Sequence, residues 1–506
     1  MFCRPRPGAL RRSRPDLLCR GAGALRRSKP DLLRRGAGAL VLAFLLLGMP
    51  GAGAAGAAAR PNIVYIVADD LGWKDVGFHG SDIKTPNIDK LASEGVRFDQ
   101  FYTQSLCTQS RAALMTGRYP FRYGLQTGVI LSGFTYGLPL DEYLLPQMLK
   151  DAGYHTVMVG KWHLGHADKR TWPQQRGFDY HYGAVLGEID YYTHAAHGVT
   201  DWYRDNRKVN EPGYVTQLMG ADAVKQIETH DPSQPLFLYL AFTAPHAPYQ
   251  APKEYLARYT GIADTTRRTY AAMVTCMDDE IGKVLAALDR KRMRENTLIV
   301  FMSDNGGNRS AMYSGEIDMS KITLPADNGP YRDGKGSLFE GGTRVVAVAN
   351  WPGHLKADEF KGMMHSVDML PTLADVAGGS TTKSKALDGL DLWPAPTQGR
   401  PSPRTEIVYN VEPYRAAVRE GDWKLVWKTL LPQSLELFDL ARDPGEKTNL
   451  AAQDPAQVAE LQKRIGQLAK EGAPSLFLVE TAKAAKKALD LPPVLPSDDA
   501  YYNLEP

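Results

Sequence analysis

The sequence predicts an α/β protein whose core is a mostly parallel β-sheet flanked by helices. Four apolar runs of strand length, covering residues 61–68, 154–160, 235–243 and 297–303, alternate with segments of helical character. Continuous apolar runs of this length are typical of strands that are buried on both faces, as in parallel sheets. Each run is followed directly by polar residues, which predicts a ligand site at the carboxyl edge of the sheet.

The chain of 506 residues divides into three segments of different composition. We expect a basic leader in residues 1–59, the α/β domain in residues 60–404 and a small α+β domain in residues 405–506. Residues 379–404, rich in Ser, Thr, Lys and Pro, are expected to link the two domains. Further helices are predicted for residues 86–95, 141–152, 266–288, from 365 onward and 455–470, and further strands for 96–102, 345–349, 414–419 and 423–428.

The leader carries the positive charge of the chain. Its eleven basic and two acidic residues outweigh the whole net charge of +3, which leaves −6 for residues 60–506. A negative body of this kind argues against nucleic acid as a partner. The apolar run of residues 40–47, followed by small residues, is typical of a secretory signal and is too short for a stable membrane span. We therefore expect export to the lysosome or the extracellular space, or to the periplasm in a bacterium.

Two of the four cysteines, Cys107 and Cys276, lie outside the leader, so no disulfide framework is expected. Cys107 precedes a helix-forming run that ends at Gly117. The positive end of a helix dipole, together with Arg111 four residues further on, should activate the Cys107 thiol. Cys107 is therefore the candidate nucleophile.

Side chains with oxygen ligands follow two of the four apolar runs. Asp69 and Asp70 come after the first run, and Asp304 and Asn305 come after the last. Such ligands suit a hard divalent cation, Ca²⁺ or Mg²⁺, better than they suit zinc. The sequence therefore predicts a site for one of these ions at the edge of the sheet.

Cationic and titratable side chains are predicted to surround this ion. Arg111, Lys161 and Lys335 would supply positive charge, and His163 and His246 would carry protons. A metal ion with fixed positive charge and proton carriers suits an oxyanion ester such as a phosphate or a sulfate. The nucleophile, residue 107, would lie beside the metal.

The segments that carry these residues resemble the signature of type I sulfatases. Within that family the chain is most similar to the arylsulfatase B group, which includes N-acetylgalactosamine-4-sulfatase. The resemblance implies an alkaline-phosphatase-like fold with a large mixed, mostly parallel sheet. The matching segments are residues 68–72, 107–111, 116–119, 160–165, 245–246 and 304–307, Lys335, and in the C-terminal part residues 421–425 and 437–450.

The resemblance also implies a mechanism. In the family, the cysteine that Cys107 matches is oxidised to formylglycine by the formylglycine-generating enzyme, and the hydrated aldehyde attacks sulfur. One calcium ion would contact residue 107 and a sulfate oxygen, and the substrate would be an aryl sulfate or a sulfated sugar such as a glycosaminoglycan. The matches assign calcium binding to Asp69, Asp70, Asp304 and Asn305, orientation of the aldehyde hydrate to Arg111 and His163, sulfate binding to Lys161 and Lys335, and protonation of the leaving alcohol to His246.

Two other functions remain open at the level of sequence. A phosphodiesterase or phosphonate hydrolase of the same superfamily would share the metal-binding edge. The family motif usually has proline two residues after the cysteine, where this chain has Gln109. That proline is part of what the modifying enzyme recognises, so the chain could instead be an unmodified pseudoenzyme that binds sulfated glycans.

Overall fold

The computed structural model describes residues 60–309, 324–430 and 432–489, so the predicted leader and its signal lie outside the described part. The strands are β1 (Asn62–Ala68), β2 (Val96–Tyr102), β3 (His155–Gly160), β4 (Tyr180–Gly183), β5 (Ala195–Ala196), β6 (Val199–Thr200), β7 (Tyr203–Arg204), β8 (Arg207–Lys208), β9 (Leu236–Ala241), β10 (Thr297–Ser303), β11 (Ala347–Asn350), β12 (Asp358–His365), β13 (Glu406–Val411), β14 (Arg415–Glu420), β15 (Trp423–Lys428) and β16 (Ser434–Asp439). The helices are α1 (Pro86–Ser93), α2 (Cys107–Thr116), α3 (Leu145–Asp151), α4 (Val215–Thr229), α5 (Lys253–Leu256), α6 (Thr265–Arg290), α7 (Glu340–Thr343), α8 (Met369–Ala377), α9 (Pro394–Gln398), α10 (Pro455–Lys470) and α11 (Leu476–Ala488).

A ten-stranded sheet forms the centre of the fold, in the order β12-β2-β11-β10-β1-β9-β3-β4-β7-β8. The five strands from β10 to β4 run parallel to one another, and antiparallel pairs occur toward both edges. The four apolar runs of the sequence are the adjacent strands β10, β1, β9 and β3. The predicted mixed, mostly parallel sheet is therefore confirmed.

Helices cover both faces of the sheet, because alternate residues of the central strands point to opposite sides. Along β1, Val64 and Ile66 pack into a core with α1, α4 and α6. Their neighbours Tyr65 and Val67 pack into a second core with α2, α3 and α8. Every residue of β1 is buried, which explains the continuous apolar run in the sequence.

The C-terminal part forms a separate four-stranded antiparallel sheet, in the order β13-β14-β15-β16. Helix α10 packs on this sheet, as expected for a small α+β unit, and it has the predicted bounds. The expected linker, residues 379–404, is packed against the large sheet's helices, with Leu392 fully buried and Arg404 paired with buried Asp368. The domain boundaries at 59/60 and 404/405 stay predictions.

Several helices differ from the sequence prediction. Helix α3 begins at Leu145, not at residue 141, because Pro146 fits only the first turn of a helix. Helices α4, α5, α7, α9 and α11 were not predicted; in α11, the half-buried Phe477 packs against Gly128 and Phe134. Among the helices of the described residues, none combines the length and the apolar character that crossing a membrane would require.

Candidate active site

The structure brings the predicted site residues together at the carboxyl ends of β10, β1, β9 and β3, which are neighbours in the sheet. Asp69 and Asp70 follow β1, and Asp304 and Asn305 follow β10. The backbone N–H of Asp304 donates to the carbonyl of Ala68 at 2.9 Å, which fixes the two acidic segments side by side. Lys161 and His163 follow β3, and His246 lies five residues after β9.

Helix α2 presents Cys107 to this edge as its first residue. All ten residues of α2 are buried, and Gly117 ends the helix in the left-handed conformation with φ of 67°, as the sequence predicts. The Ser110 hydroxyl donates to the Gln104 carbonyl at 2.8 Å, and the Thr108 hydroxyl donates to the His163 carbonyl at 3.2 Å. The start of α2 is therefore fixed on both sides.

Three carboxylates and three cations balance one another in the buried site. Lys161 Nζ lies 2.5 Å from Asp69 Oδ2, and Lys335 Nζ lies 2.8 Å from Asp70 Oδ2. Arg111 holds Asp304 Oδ2 with both Nε, at 3.0 Å, and Nη2, at 2.8 Å. The charges of these six side chains cancel. A divalent cation and an anionic ester carry opposite charges, so binding both would keep the buried site close to neutral.

Possible metal-ligand atoms converge in the site, and two of its buried oxygens accept no hydrogen bond. One ligand atom each from Asp69, Asp70, Cys107 and His246 lie within 4.8 Å of one another. Within the described residues, Asp69 Oδ1 and Asn305 Oδ1 are buried acceptors that accept no hydrogen bond. Buried acceptors of this kind are costly unless a cation or a donor satisfies them. The oxygen-rich set fits a hard divalent cation, which is the metal class that the sequence predicts.

Asp304 has a different environment from the other predicted metal ligands. Its Oδ2 accepts from Arg111, and its Oδ1 accepts from the backbone N–H of Asp70 at 3.3 Å. It is not part of the group of four ligand atoms, whereas His246, which we expected as a proton donor, is. Burial and the neighbouring Asp69 charge raise the pKa of Asp304 to about 7, against the lowering effect of Arg111.

Cys107 is not activated as a thiol, contrary to the expectation from its place at a helix N-terminus. Burial raises the pKa of its thiol to about 12, and Lys161 and Lys335 oppose this only in part. The side chain is 1% exposed, so loss of hydration outweighs the helix dipole and the nearby cations. Unmodified Cys107 is therefore a neutral thiol at physiological pH.

The two histidines present different nitrogens to the site. His163 Nε2 lies 3.2 Å from the Ile130 carbonyl, which can only accept, so Nε2 carries the proton and Nδ1 has the free lone pair. Burial, then Lys161 and Arg111, hold the pKa of His163 well below its usual value. His246 Nδ1 donates to the Ala247 carbonyl, which leaves its Nε2 facing Asp70 Oδ2 at 3.7 Å. Burial, then Lys335, lower the pKa of His246.

Two site residues adopt a left-handed backbone conformation that side chains other than glycine seldom adopt. Asp70 has φ of 65° and His163 has φ of 59°. Such conformations cost about 1–3 kcal/mol each and persist where the surrounding structure enforces them. Their occurrence at one predicted metal ligand and one predicted catalytic histidine agrees with a functional role for this edge of the sheet.

Some residues that shape the site were missed by sequence reasoning. Gly187 packs against the His163 ring so closely that no Cβ fits, and the Tyr191 hydroxyl lies 2.7 Å and 2.9 Å from the carbonyl oxygens of Thr243 and His246. These residues lie in a loop region between β4 and α4. No motif or periodicity marks such a loop, so only the three-dimensional structure reveals these contacts.

A comparison with known protein families identifies the family of this chain. The family model described as Sulfatase matches residues 61–380. The chain belongs to the sulfatase family. This sulfatase is 37% identical to arylsulfatase J of Mus musculus over 481 residues, which cover 84% of this chain and 78% of that protein. It is 34% identical to N-acetylgalactosamine-6-sulfatase of Homo sapiens over 455 residues, which cover 79% of this chain and 83% of that protein.

Solved structures agree with this assignment. The sulfatase resembles Ps i-CgsB in complex with k-i-k-neocarrahexaose, with a TM-score of 0.75 and 33% identity over 88% of this chain and 100% of that one. Its fold also resembles that of the phosphonate monoester hydrolase of Agrobacterium radiobacter, with a TM-score of 0.59 and 21% identity over 81% and 96% of the two chains. The predicted type I sulfatase family and its alkaline-phosphatase-like fold are confirmed, and the chain is a sulfuric ester hydrolase. The relatives do not single out the 4-sulfatase group that the sequence motifs favour.

Proposed function

We propose that this sulfatase hydrolyses the sulfate ester of a sugar by means of a formylglycine hydrate at position 107 and one bound calcium ion. The observation that carries this proposal is the place of Cys107, which begins α2 at the edge of the sheet. There its sulfur lies within 4.8 Å of one ligand atom from each of Asp69, Asp70 and His246. A buried thiol whose pKa is raised to about 12 is a poor nucleophile at neutral pH, which supports conversion of residue 107 to another group.

Conversion of residue 107 to formylglycine would supply, in the hydrated form, one hydroxyl as the nucleophile and a second hydroxyl through which sulfate could be released. The protein's own side chains would position the reacting groups and neutralise the negative charge of the sulfate. Lys161 and Lys335 each contact a carboxylate, and their charges act to lower the pKa of the Cys107 thiol, so they would hold sulfate oxygens as negative charge develops. Arg111 would fix the carboxylate of Asp304 and the start of α2.

Proton transfer would divide between the two histidines. His163 would accept a proton from the hydroxyl at position 107 through its free Nδ1, because its Nε2 is bonded to Ile130. Its lowered pKa keeps it neutral and ready to accept at physiological pH. His246 would donate from Nε2 to the leaving alcohol in its doubly protonated form, in which Nδ1 stays bonded to the Ala247 carbonyl and the negative charge of Asp70 favours the second proton.

Calcium would be held by Asp69, Asp70 and Asn305, with Asp304 on the side toward Arg111. The unpartnered oxygens Asp69 Oδ1 and Asn305 Oδ1 support this ligand set. In the calcium-loaded enzyme the ion would supply positive charge beside position 107 and a sulfate oxygen. We expect calcium to raise the melting temperature and a chelator to lower it, also in the Cys107→Ala protein, because an ion that binds only the folded state stabilises it.

The substrate class follows from the relatives. One is named N-acetylgalactosamine-6-sulfatase, and another structure was determined with a neocarrahexaose, which favours a sulfated sugar over a simple aryl sulfate as the natural substrate. We also propose export through the secretory pathway, to the lysosome or the cell exterior, and maturation by the formylglycine-generating enzyme. The phosphodiesterase and pseudoenzyme alternatives are not favoured, since the named relatives above 30% identity are sulfatases.

Turnover of an aryl sulfate and of an aryl phosphate diester tests the reaction. We expect the purified protein to hydrolyse the sulfate in preference to the diester and to lose activity with a chelator. Cys107→Ala should abolish sulfate release while the melting temperature stays near that of the wild type. Preference for the phosphate diester, or full activity of Cys107→Ala, would refute the proposal.

A further inference from the structure

A cavity of about 500 Å³ lies in the C-terminal sheet, outside the site described above. Strands β14 and β15 contribute Arg415 and Lys428 to its wall, and residues at the start of β16 and just before it contribute Gln433 and Ser434. The cavity is large enough for part of a sugar residue with a charged substituent. Its lining combines apolar side chains such as Tyr414 and Leu430 with the charged side chains of Arg415, Lys428 and Glu436.

Two cations face each other across the strands that line the cavity. Arg415 and Lys428 are direct partners in the antiparallel register of β14 and β15. Like charges directly opposite each other in a sheet are destabilising. A pair that folding does not favour points to a role in binding.

The acidic residues near the cavity are already paired, which leaves Lys428 without a counter-ion. Glu412 holds Arg415 at 2.8 Å, and Glu436 holds Arg332 at 2.8 Å. Among the described residues, no carboxylate lies within 4.0 Å of Lys428 Nζ, which instead lies 5.2 Å from the centre of the Phe339 ring. By contrast, Lys424 on the same face of β15 contacts two carboxylates, at 2.9 Å and 2.7 Å. The cavity therefore has a surplus of positive charge.

The same wall is joined to the catalytic edge of the sheet. Arg415 Nη1 donates to the carbonyl of Gly336 at 2.6 Å, and the Gly336 N–H donates to the carbonyl of Ser105 at 2.7 Å. Gly336 follows Lys335, and Ser105 lies two residues before Cys107. Two hydrogen bonds thus connect the cavity wall to the backbone beside the proposed nucleophile.

We propose that this cavity binds a second anionic group, a carboxylate or a sulfate, on the sugar next to the one whose ester is cleaved. This inference rests on the proposed function, since it takes a sulfated oligosaccharide as the substrate. Lys428 supplies the charge that the anion meets, and Arg415 aligns the cavity with position 107. The cavity thereby favours polyanionic chains over substrates that carry a single sulfate.

Calorimetry on the Cys107→Ala protein tests the cavity without any turnover. The probes are a chondroitin sulfate tetrasaccharide, the same tetrasaccharide with its carboxyl groups methyl-esterified, and a sulfated galactan tetrasaccharide without carboxylates. We expect Lys428→Gln to raise the Kd of a probe that carries the recognised anion about tenfold, because a charge-assisted hydrogen bond is lost. The matched charge control is Lys463→Gln, an exposed position on α10 far along the chain from the cavity residues, and it should leave the Kd unchanged.

The three probes identify the anion. A carboxylate is the ligand if methyl esterification weakens binding and removes the effect of Lys428→Gln; a sulfate is the ligand if the galactan shows the effect. The proposal is overturned if no probe binds, or if Lys428→Gln changes every Kd no more than Lys463→Gln does while melting temperatures match. Absence of aryl sulfate turnover by the wild-type protein would refute the proposed function separately, because the binding data do not depend on it.

Discussion

Gly187 lies against the imidazole of His163, and the structure predicts what a single methyl group there would do. A Cβ at position 187 would lie 2.3 Å from Cε1 and 2.4 Å from Nε2 of His163, whereas ordinary contacts begin at 3.4 Å. The ring would therefore have to move by about 1 Å, which breaks its 3.2 Å contact with the Ile130 carbonyl. A misplacement of that size at a reacting group costs about 100-fold in rate.

We expect Gly187→Ala to lower kcat for an aryl sulfate about 100-fold, with a smaller change in KM. Stability should fall by only about 1–3 kcal/mol, the usual cost of overpacking, because the backbone at Gly187 does not have positive φ. The control is Gly261→Ala, since a Cβ there meets no atom within 4 Å and should leave both quantities unchanged. A Gly187→Ala protein that folds and retains kcat within twofold of the wild type would refute the positioning of His163.

Three further changes test other parts of the structure. Lys424→Met should lower the free energy of unfolding by about 3–5 kcal/mol, because it removes the buried ammonium that contacts both Glu340 and Glu446. Denaturant titration checks this against Lys361→Met, whose side chain is 75% exposed and whose loss should cost less than about 0.5 kcal/mol. Burial raises the pKa of Asp201 from 3.8 to about 7, so its contribution to stability is complete below about pH 4 and is lost as the pH rises to about 7. Asp201→Asn should flatten the decline in unfolding midpoint over that range, and an unchanged decline would contradict the assignment. Gln109→Pro should raise the fraction of Cys107 that is converted to formylglycine when the protein is co-expressed with the modifying enzyme. It should also lower the free energy of unfolding by about 1 kcal/mol, because the 2.6 Å hydrogen bond to the Gln126 carbonyl is lost. No gain in conversion would show that Gln109 does not limit the modification.

The central strands and the site could be predicted from sequence because one physical rule governs both. Strands buried on two faces must be apolar throughout, so β1, β3, β9 and β10 stand out as continuous runs. Their parallel arrangement brings the residues after them to one edge. The sequence pattern alone therefore predicts that the polar residues after these strands lie close together.

Loop contacts and electrostatic balance could not be predicted in the same way. The contact of Gly187 with His163 joins two segments that no periodicity relates, and α11 depends on packing of Phe477 against residues far away in sequence. The thiol of Cys107 was expected to be activated by the helix dipole, but complete burial decides its pKa instead. Burial is a property of the whole fold, which local sequence does not reveal.

The proposed reaction depends on the chemical state of residue 107. The measurement is a mass spectrum of the tryptic peptide covering residues 98–111, taken from active protein produced together with the formylglycine-generating enzyme. We predict that the peptide carries an aldehyde in place of the Cys107 thiol, in a fraction that rises in proportion to the specific activity of each preparation. A peptide that retains only the thiol, in protein fully active on sulfate esters, would contradict the proposed role of formylglycine.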